Sequence, residues 1–319
     1  MFFQTAGVEV ALWVPPLVAF AISFFTSMGG VSGAFILLPF QMSFLGYTAP
    51  SVSATNQLFN IVAIPSGVYR YWREGRMAWP LTWVVVAGTL PGVFIGAFIR
   101  VSHLPNPQYF KLFVAVVLFY IGFKIISDLV ENRSNNGDKS TGDSLLKEMV
   151  HRKQPKITGR EPEKAGCSTI RVTHFSLKRI SYTFYDESFD VSLWGIFSLS
   201  FIVGIVGGIY GIGGGSIIAP FFVTFFRLPV HTVAAAALMG TFVTSIAGVI
   251  FYQVMAPFYP NVSVAPDWLL GILFGTGGMV GMYFGARCQK FVPAETIKWM
   301  LVTVIIFTAA KYVAESFGY

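Results

Sequence analysis

The sequence predicts an all-α, polytopic membrane protein made of two inverted-topology repeats. Three observations carry this reading: an apolar composition, a series of apolar runs close to membrane-spanning length, and an internal match at a nearly constant offset. Of 319 residues, 54% are hydrophobic and 12% charged, far from the balance of a soluble domain. Charge is also concentrated. Positions 131–190 hold 11 of the 22 Lys and Arg and 9 of the 15 Asp and Glu, which leaves 17 charges for the other 259 residues.

Eight long apolar runs are predicted as spanning helices, at 11–27, 51–69, 81–99, 110–130, 191–209, 230–254, 268–286 and 297–313. Each approaches the ~20 residues of helix that cross ~30 Å of hydrocarbon. Two shorter runs, 34–45 and 216–226, are too short for that depth and are predicted as half-helices. Residues 1–10 contain no Lys or Arg, so the first run lacks the basic start of a cleavable signal and is expected to be retained.

The internal repeat fixes the domain organisation. An offset of 181 residues brings Gly30 onto Gly211, Gly33 onto Gly214, Pro39 onto Pro220, Val52 onto Val233, Ala54 onto Ala235, Gly67 onto Gly248 and Tyr71 onto Tyr252. After an eight-residue insertion the offset becomes 189, pairing Trp79 with Trp268, Gly88 with Gly277, Gly92 with Gly281 and Gly96 with Gly285. The chain therefore divides into a first transmembrane repeat (1–130), a linker (131–190) and a second transmembrane repeat (191–319). The linker is too polar to enter lipid. Between 175 and 191 it alternates apolar and polar residues about Asp186 and Glu187, as a β-hairpin would.

Basic residues orient the copies. The loop after the second long run holds Arg70, Arg73 and Arg76, whereas its counterpart at 253–267 has no Lys or Arg, so the two belong on opposite sides. The linker is placed in the cytoplasm and both termini outside. The net charge of +7 does not indicate nucleic acid, because basic residues outside the linker lie at the ends of apolar runs. Cys167 and Cys288 have no second ligand at metal spacing, and neither a metal site nor a cofactor is expected.

Two matched glycine clusters are the candidate site. The first is Gly29, Gly30, Ser32 and Gly33; the second holds Gly211, Gly213, Gly214 and Gly215, followed by Ser216. Glycine at this density breaks a helix, and broken backbone at membrane depth is tolerated where it is buried in protein or lines a wet cavity. The half-helices that restart at Ala34 and Ser216 would present free N–H groups and a dipole that favours an anion. Ser53, Asn56, Gln57 and Asn60 recur at helical spacing, and the matched helix carries Thr241, Thr244 and Ser245. These amides and hydroxyls either ligate an anion or serve as interhelical hydrogen bonds. Gly88, Gly92, Gly96 and their partners Gly277, Gly281 and Gly285 are read as helix-packing positions. Arg100 and Arg287, at predicted segment ends, are read as interface anchors able to draw an anion to the cavity mouth, and His231 as the pH-sensitive group. No nucleophile, metal or paired-carboxylate motif of an enzyme is present.

The run Gly207-Gly-Ile-Tyr-Gly-Ile-Gly-Gly-Gly-Ser-Ile-Ile-Ala-Pro220, with Pro39 and the basic turn at 70–76, resembles the TauE/SafE sulfite exporter family across nearly the whole chain. The first cluster departs from that family's Gly-x-Gly-Gly-Gly, reading Gly-Gly-Val-Ser-Gly. The resemblance implies a multi-pass carrier, in a bacterial inner membrane, of small sulfur-containing or organic anions such as sulfite or a sulfonate. The expected mechanism is alternating access about a midplane site between the two breaks, driven by a gradient since no ATP-binding motif is present. An anion channel and a membrane-bound assembly or signalling protein working through its linker are the alternatives. No motif bears on assembly, and a homodimer fits a carrier of this size.

Overall fold

A computed structural model of the chain describes residues 1–28, 32–73, 77–134, 171–175, 179–184, 187–226, 230–288 and 294–316. A two-rung antiparallel ladder, β1 (Phe2–Phe3) with β2 (Val8–Glu9), opens the chain and turns on Gly7 in the left-handed region. The first half then runs α1 (Val14–Met28), α2 (Ala34–Ser43), α3 (Ser51–Ala63), α4 (Pro65–Arg73), α5 (Trp79–Ser102) and α6 (Pro107–Ser134). In the linker, β3 (Arg171–Phe175), β4 (Arg179–Phe184) and β5 (Glu187–Ser192) form an antiparallel sheet in that order, with Phe184 opposite Glu187 and Ile180 opposite Val191. The second half comprises α7 (Leu193–Tyr210), α8 (Ile218–Phe226), α9 (Val230–Met255), α10 (Trp268–Cys288) and α11 (Ala294–Ser316).

Local chemistry sets the boundaries. Ser192 caps α7 by accepting from the Gly195 N–H at 3.3 Å, and Gly211, at φ +82°, closes it by donating to the Gly207 carbonyl at 2.9 Å. The sheet thus joins the second half with no intervening loop. The run 51–69, expected as one helix, is two. Pro65 has no N–H to donate and its ring crowds the preceding turn, so α3 stops at Ala63 and α4 restarts on the Ile64 carbonyl, which accepts from Gly67 and Val68.

Among the described residues, five helices are long and apolar enough to cross a membrane: 79–102, 107–127, 193–210, 233–258 and 268–285. α1, at 15 residues, and α2, at 10, are apolar but shorter. Val116, Phe123, Ile250, Val254 and Phe307 are exposed on the outer faces, an arrangement suited to acyl chains and unsuited to water.

The halves do not pack as separate bodies. α1 lies on α10 and α7 on α5; α3 contacts α10 and α9 contacts α5; α3 meets α9 and α6 meets α11. Exchanging the halves maps this set of contacts onto itself. The glycine spacings give the same result atom by atom. A Cβ on Gly88, Gly92 or Gly96 would lie 2.8, 2.4 or 2.3 Å from the carbonyl oxygen of Phe197, Phe201 or Ile205 on α7. On Gly277, Gly281 or Gly285 it would lie 2.0, 2.3 or 2.2 Å from that of Pro16, Phe20 or Phe24 on α1. Those carbonyl residues are themselves related by the 181-residue offset. Backbones approach to a distance that only glycine allows, twice and equivalently.

Candidate functional site

Both breaks meet on α3. Its side chains from Ser51 to Asn60 are fully buried, including three carboxamides, which in a short apolar protein interior need partners. The Asn56 amide donates to the Ala34 carbonyl of the first break at 2.9 Å and to the Gly211 carbonyl of the second at 3.0 Å. Gln41 donates to the Asn56 Oδ1 at 3.4 Å. One turn on, Asn60 donates to the Ile212 carbonyl at 2.9 Å and accepts from the Ser32 hydroxyl at 3.1 Å. Ser53 donates to the Ile209 carbonyl at 3.4 Å, and its Cα side lies against Gly211, where a Cβ would come within 2.5 Å.

The second break is a loop from Gly211 to Ile217 with two left-handed glycines, Gly211 and Gly213 (φ +77°). It is held from the other side by α9. Gly214 donates its N–H to Thr244 Oγ1 at 3.0 Å, while Ser216 donates to the Ile212 carbonyl at 2.6 Å and lies 3.3 Å from Thr241 Oγ1. Gly215 packs flush on the helix, where a Cβ would stand 2.1 Å from the Ala237 carbonyl. Ser245 faces Gly213, its Oγ 2.8 Å from the place of a Cβ.

Three sequence expectations change here. The second half-helix starts at Ile218, two residues past Ser216, because left-handed Gly213 stops the turn from propagating. At the two starts where free N–H groups were expected, those of Ala34 and Ser216 themselves are engaged: Ala34 N–H with Ser32 Oγ at 3.3 Å and Ser216 N–H with the Gly213 carbonyl at 3.4 Å. Arg100 is not an interface anchor. It is fully buried, donates to the carbonyls of Leu104 and Thr48, and stacks its guanidinium 3.6 Å from the centre of the Phe110 ring. Arg100 is in the last turn of α5, whose terminal carbonyls add favourable negative potential.

Of the other candidates, Arg287 is exposed in the last turn of α10, over the Tyr283 ring at 4.8 Å. Gly29, Gly30 and the His231 side chain lie outside the described residues; Gly33 packs toward Ser23 of α1.

Three contributors were missed. Tyr210 donates to the Phe35 carbonyl at 2.7 Å, the very group that Pro39, four residues on, cannot serve for lack of an N–H. Pro39 inside an apolar run was the visible signal that a partner must come from elsewhere. Tyr312 donates to the Pro39 carbonyl at 3.0 Å. Asp267 caps α10 by accepting from the Leu270 N–H at 3.0 Å, accepts from Ala6 at 3.3 Å, and donates its own N–H to Thr55. Its position directly before Trp268 was a readable helix-start signal.

The family described as Sulfite exporter TauE/SafE matches residues 16–312 of the chain. The chain belongs to the TauE/SafE family. "Probable membrane transporter protein YunE" of Bacillus subtilis is 22% identical over 303 residues, 91% of this chain and 92% of that protein. "Probable membrane transporter protein YdhB" of the same organism is 25% identical over 114 residues, 36% of this chain and 43% of that protein. No solved structure matches the chain. As a TauE/SafE protein the chain is a multi-pass membrane transporter and not an enzyme.

Proposed function

We propose that this transporter is a secondary carrier that exports a small anion, sulfite or an organosulfonate, through a site between the two helix breaks. The observation that carries the reading is the convergence of both breaks, about 180 residues apart in sequence, on the amides of α3. Broken backbone buried at membrane depth in a family of transporters is where such proteins hold substrate. The family is named for sulfite export, which suggests the substrate class and the direction.

In this reading residues 1–130 and 191–319 are inverted repeats, joined by a cytoplasmic connector at 131–190, with both termini outside. The exchange-related contacts of α1 with α10 and of α7 with α5 support it. Alternating access then consists of one repeat rocking against the other, and the amides of Asn56 and Asn60, which bridge the halves, are bonds that such a motion must remake.

The test is uptake of labelled sulfite into liposomes carrying the purified protein. Saturable uptake with counterflow exchange, lost in Gly214→Leu and Asn56→Leu variants that still insert, is the expected outcome. Flux that never saturates would make the protein a channel, and unchanged transport in both variants would remove the site from the breaks.

A further inference from the structure

Most polar groups around the breaks already hold a protein carbonyl or amide; the exceptions include the Ser23 hydroxyl beside Gly33, Gln41 Oε1, Gln57 and the Ser245 hydroxyl, of which the last two lie on the contacting helices α3 and α9. Both polar atoms of the Gln57 carboxamide, and the Ser245 hydroxyl, are buried without a hydrogen-bond partner. Helical spacing brings both to the same stretch of α9. Gln57 Oε1 sits over Gly248, where a Cβ would be 1.9 Å away, and Ser245 is three residues before Gly248, on the same face of α9 and opposite Gly213. A buried amide with neither atom satisfied costs stability unless something else binds it.

The matched position in the other half carries no amide. The 181-residue offset places Gln57 on Leu238 and Gly248 on Gly67, and the contact is reciprocal: a Cβ on Gly67 would meet Leu238 Cδ1 at 3.5 Å. Leucine fills the equivalent position in the other half. Of the two matched positions, one carries leucine and the other an unpartnered amide.

Resting on the carrier reading above, we infer that Gln57 and Ser245 are the groups that meet the transported anion, and that the anion is a singly charged species bearing one proton on oxygen or nitrogen. The Gln57 Nε2 and Ser245 hydroxyl donate to its oxygens, while Gln57 Oε1, an acceptor that would repel a bare anion, accepts that proton. Among the described residues no hydrogen bond or ion pair joins a cation to them, and Arg100, whose charge reaches Tyr252 one turn beyond Gly248, is held by the Leu104 and Thr48 carbonyls. α3 has no ionisable residue; α9 has His231 fourteen residues before Ser245, about 21 Å along the helix, and Tyr252, which donates to the Gly208 carbonyl. Arg100 and Arg287 lie in the last turns of α5 and α10. An uncharged site of this kind suits a monoanion, since the cost of desolvating an ion rises with the square of its charge.

The experiment measures thermal stabilisation of the purified full-length protein in detergent by sulfite, sulfate and methanesulfonate, in mildly acidic and mildly alkaline buffer. Sulfite passes from protonated monoanion to dianion across that range, sulfate remains a dianion, and methanesulfonate is a monoanion with no proton to donate. The inference expects sulfite to stabilise, more strongly in acid, with sulfate and methanesulfonate far weaker. Gln57→Leu and Ser245→Ala should each weaken sulfite binding by about ten- to a hundredfold, the range for one hydrogen bond to a charged partner. Sulfite binding that strengthens in alkali, methanesulfonate binding as well as sulfite, or wild-type affinity in both variants would overturn the inference and leave the carrier reading standing. If none of the three anions stabilises the wild type, the carrier reading falls as well.

Discussion

α3 and α9 occupy matched places in the two halves, and their polar side chains do different things. On α3, Asn56 and Asn60 reach out of their own half, donating to the Gly211 and Ile212 carbonyls of the other. On α9, Thr241 and Thr244 stay local: each hydroxyl donates to the carbonyl four residues back, and Thr244 also accepts from Gly214 of its own half. Where α3 has Asn56, α9 has Ala237, so small that Gly215 lies directly on the backbone. Near-symmetric helix packing therefore encloses an asymmetric polar centre. The scaffold is held by features the halves share, and the crossing polar contacts sit in features they do not.

The most damaging way to break this comparison is through the shared features. Leucine at Gly92 or Gly281 would drive a side chain into a backbone carbonyl 2.4 or 2.3 Å from its Cβ, and no monodisperse protein is expected from either variant. Alanine at each should lower stability by about 1–3 kcal/mol, and by the same amount at both, if the contacts are equivalent. Thermal unfolding in detergent reads this; a large difference between the two alanine variants would show that the matched geometry hides unequal packing.

The scaffold was readable in the sequence because the glycine spacings record backbone contact directly. Gly88, Gly92 and Gly96, four apart, and their partners at 277, 281 and 285 mark where two helices touch, and nothing in the rest of the fold can alter that. Pro65 was equally visible inside the run 51–69, yet it was outweighed by the length of the run. Arg100 misled because charge near the end of an apolar run normally signals water, whereas here Leu104, Thr48 and Phe110 fold over it. Which carbonyl Asn56 or Asn60 would reach was not readable at all. Helical spacing shows that they share a face, but the partners come from loops whose path depends on left-handed glycines such as Gly211 and Gly213.

A smaller effect sharpens the contrast between crossing and local bonds. Asn60→Ala removes one of the two donors to the Ile212 carbonyl, which keeps Ser216, and the acceptor for the Ser32 hydroxyl, and should cost about 2 kcal/mol. Asn60→Thr, the residue the other half carries at this place, should fare little better, since a threonine hydroxyl on a helix turns back to its own chain as Thr241 does. Thr244→Val removes only the acceptor for Gly214, for about 1 kcal/mol. If Thr244→Val proves the more damaging, the centre is held by local bonds and the crossing amides of α3 are secondary.

The smallest effect on stability is expected at Gln57, and it is the most informative. Without ligand, Gln57→Leu exchanges a carboxamide that bonds to nothing for the side chain that Leu238 already places against Gly67, so the unliganded protein should melt at the same temperature or slightly higher. Asn56 and Asn60, one residue before and three after on the same helix, should both destabilise when replaced by Leu, because each holds a carbonyl of the second break. A loss of stability in Gln57→Leu comparable to theirs would mean that the amide supports the fold, and the asymmetry between the halves would then belong to packing. A protein that is as stable as the wild type, and yet fails to transport, would place that asymmetry in function.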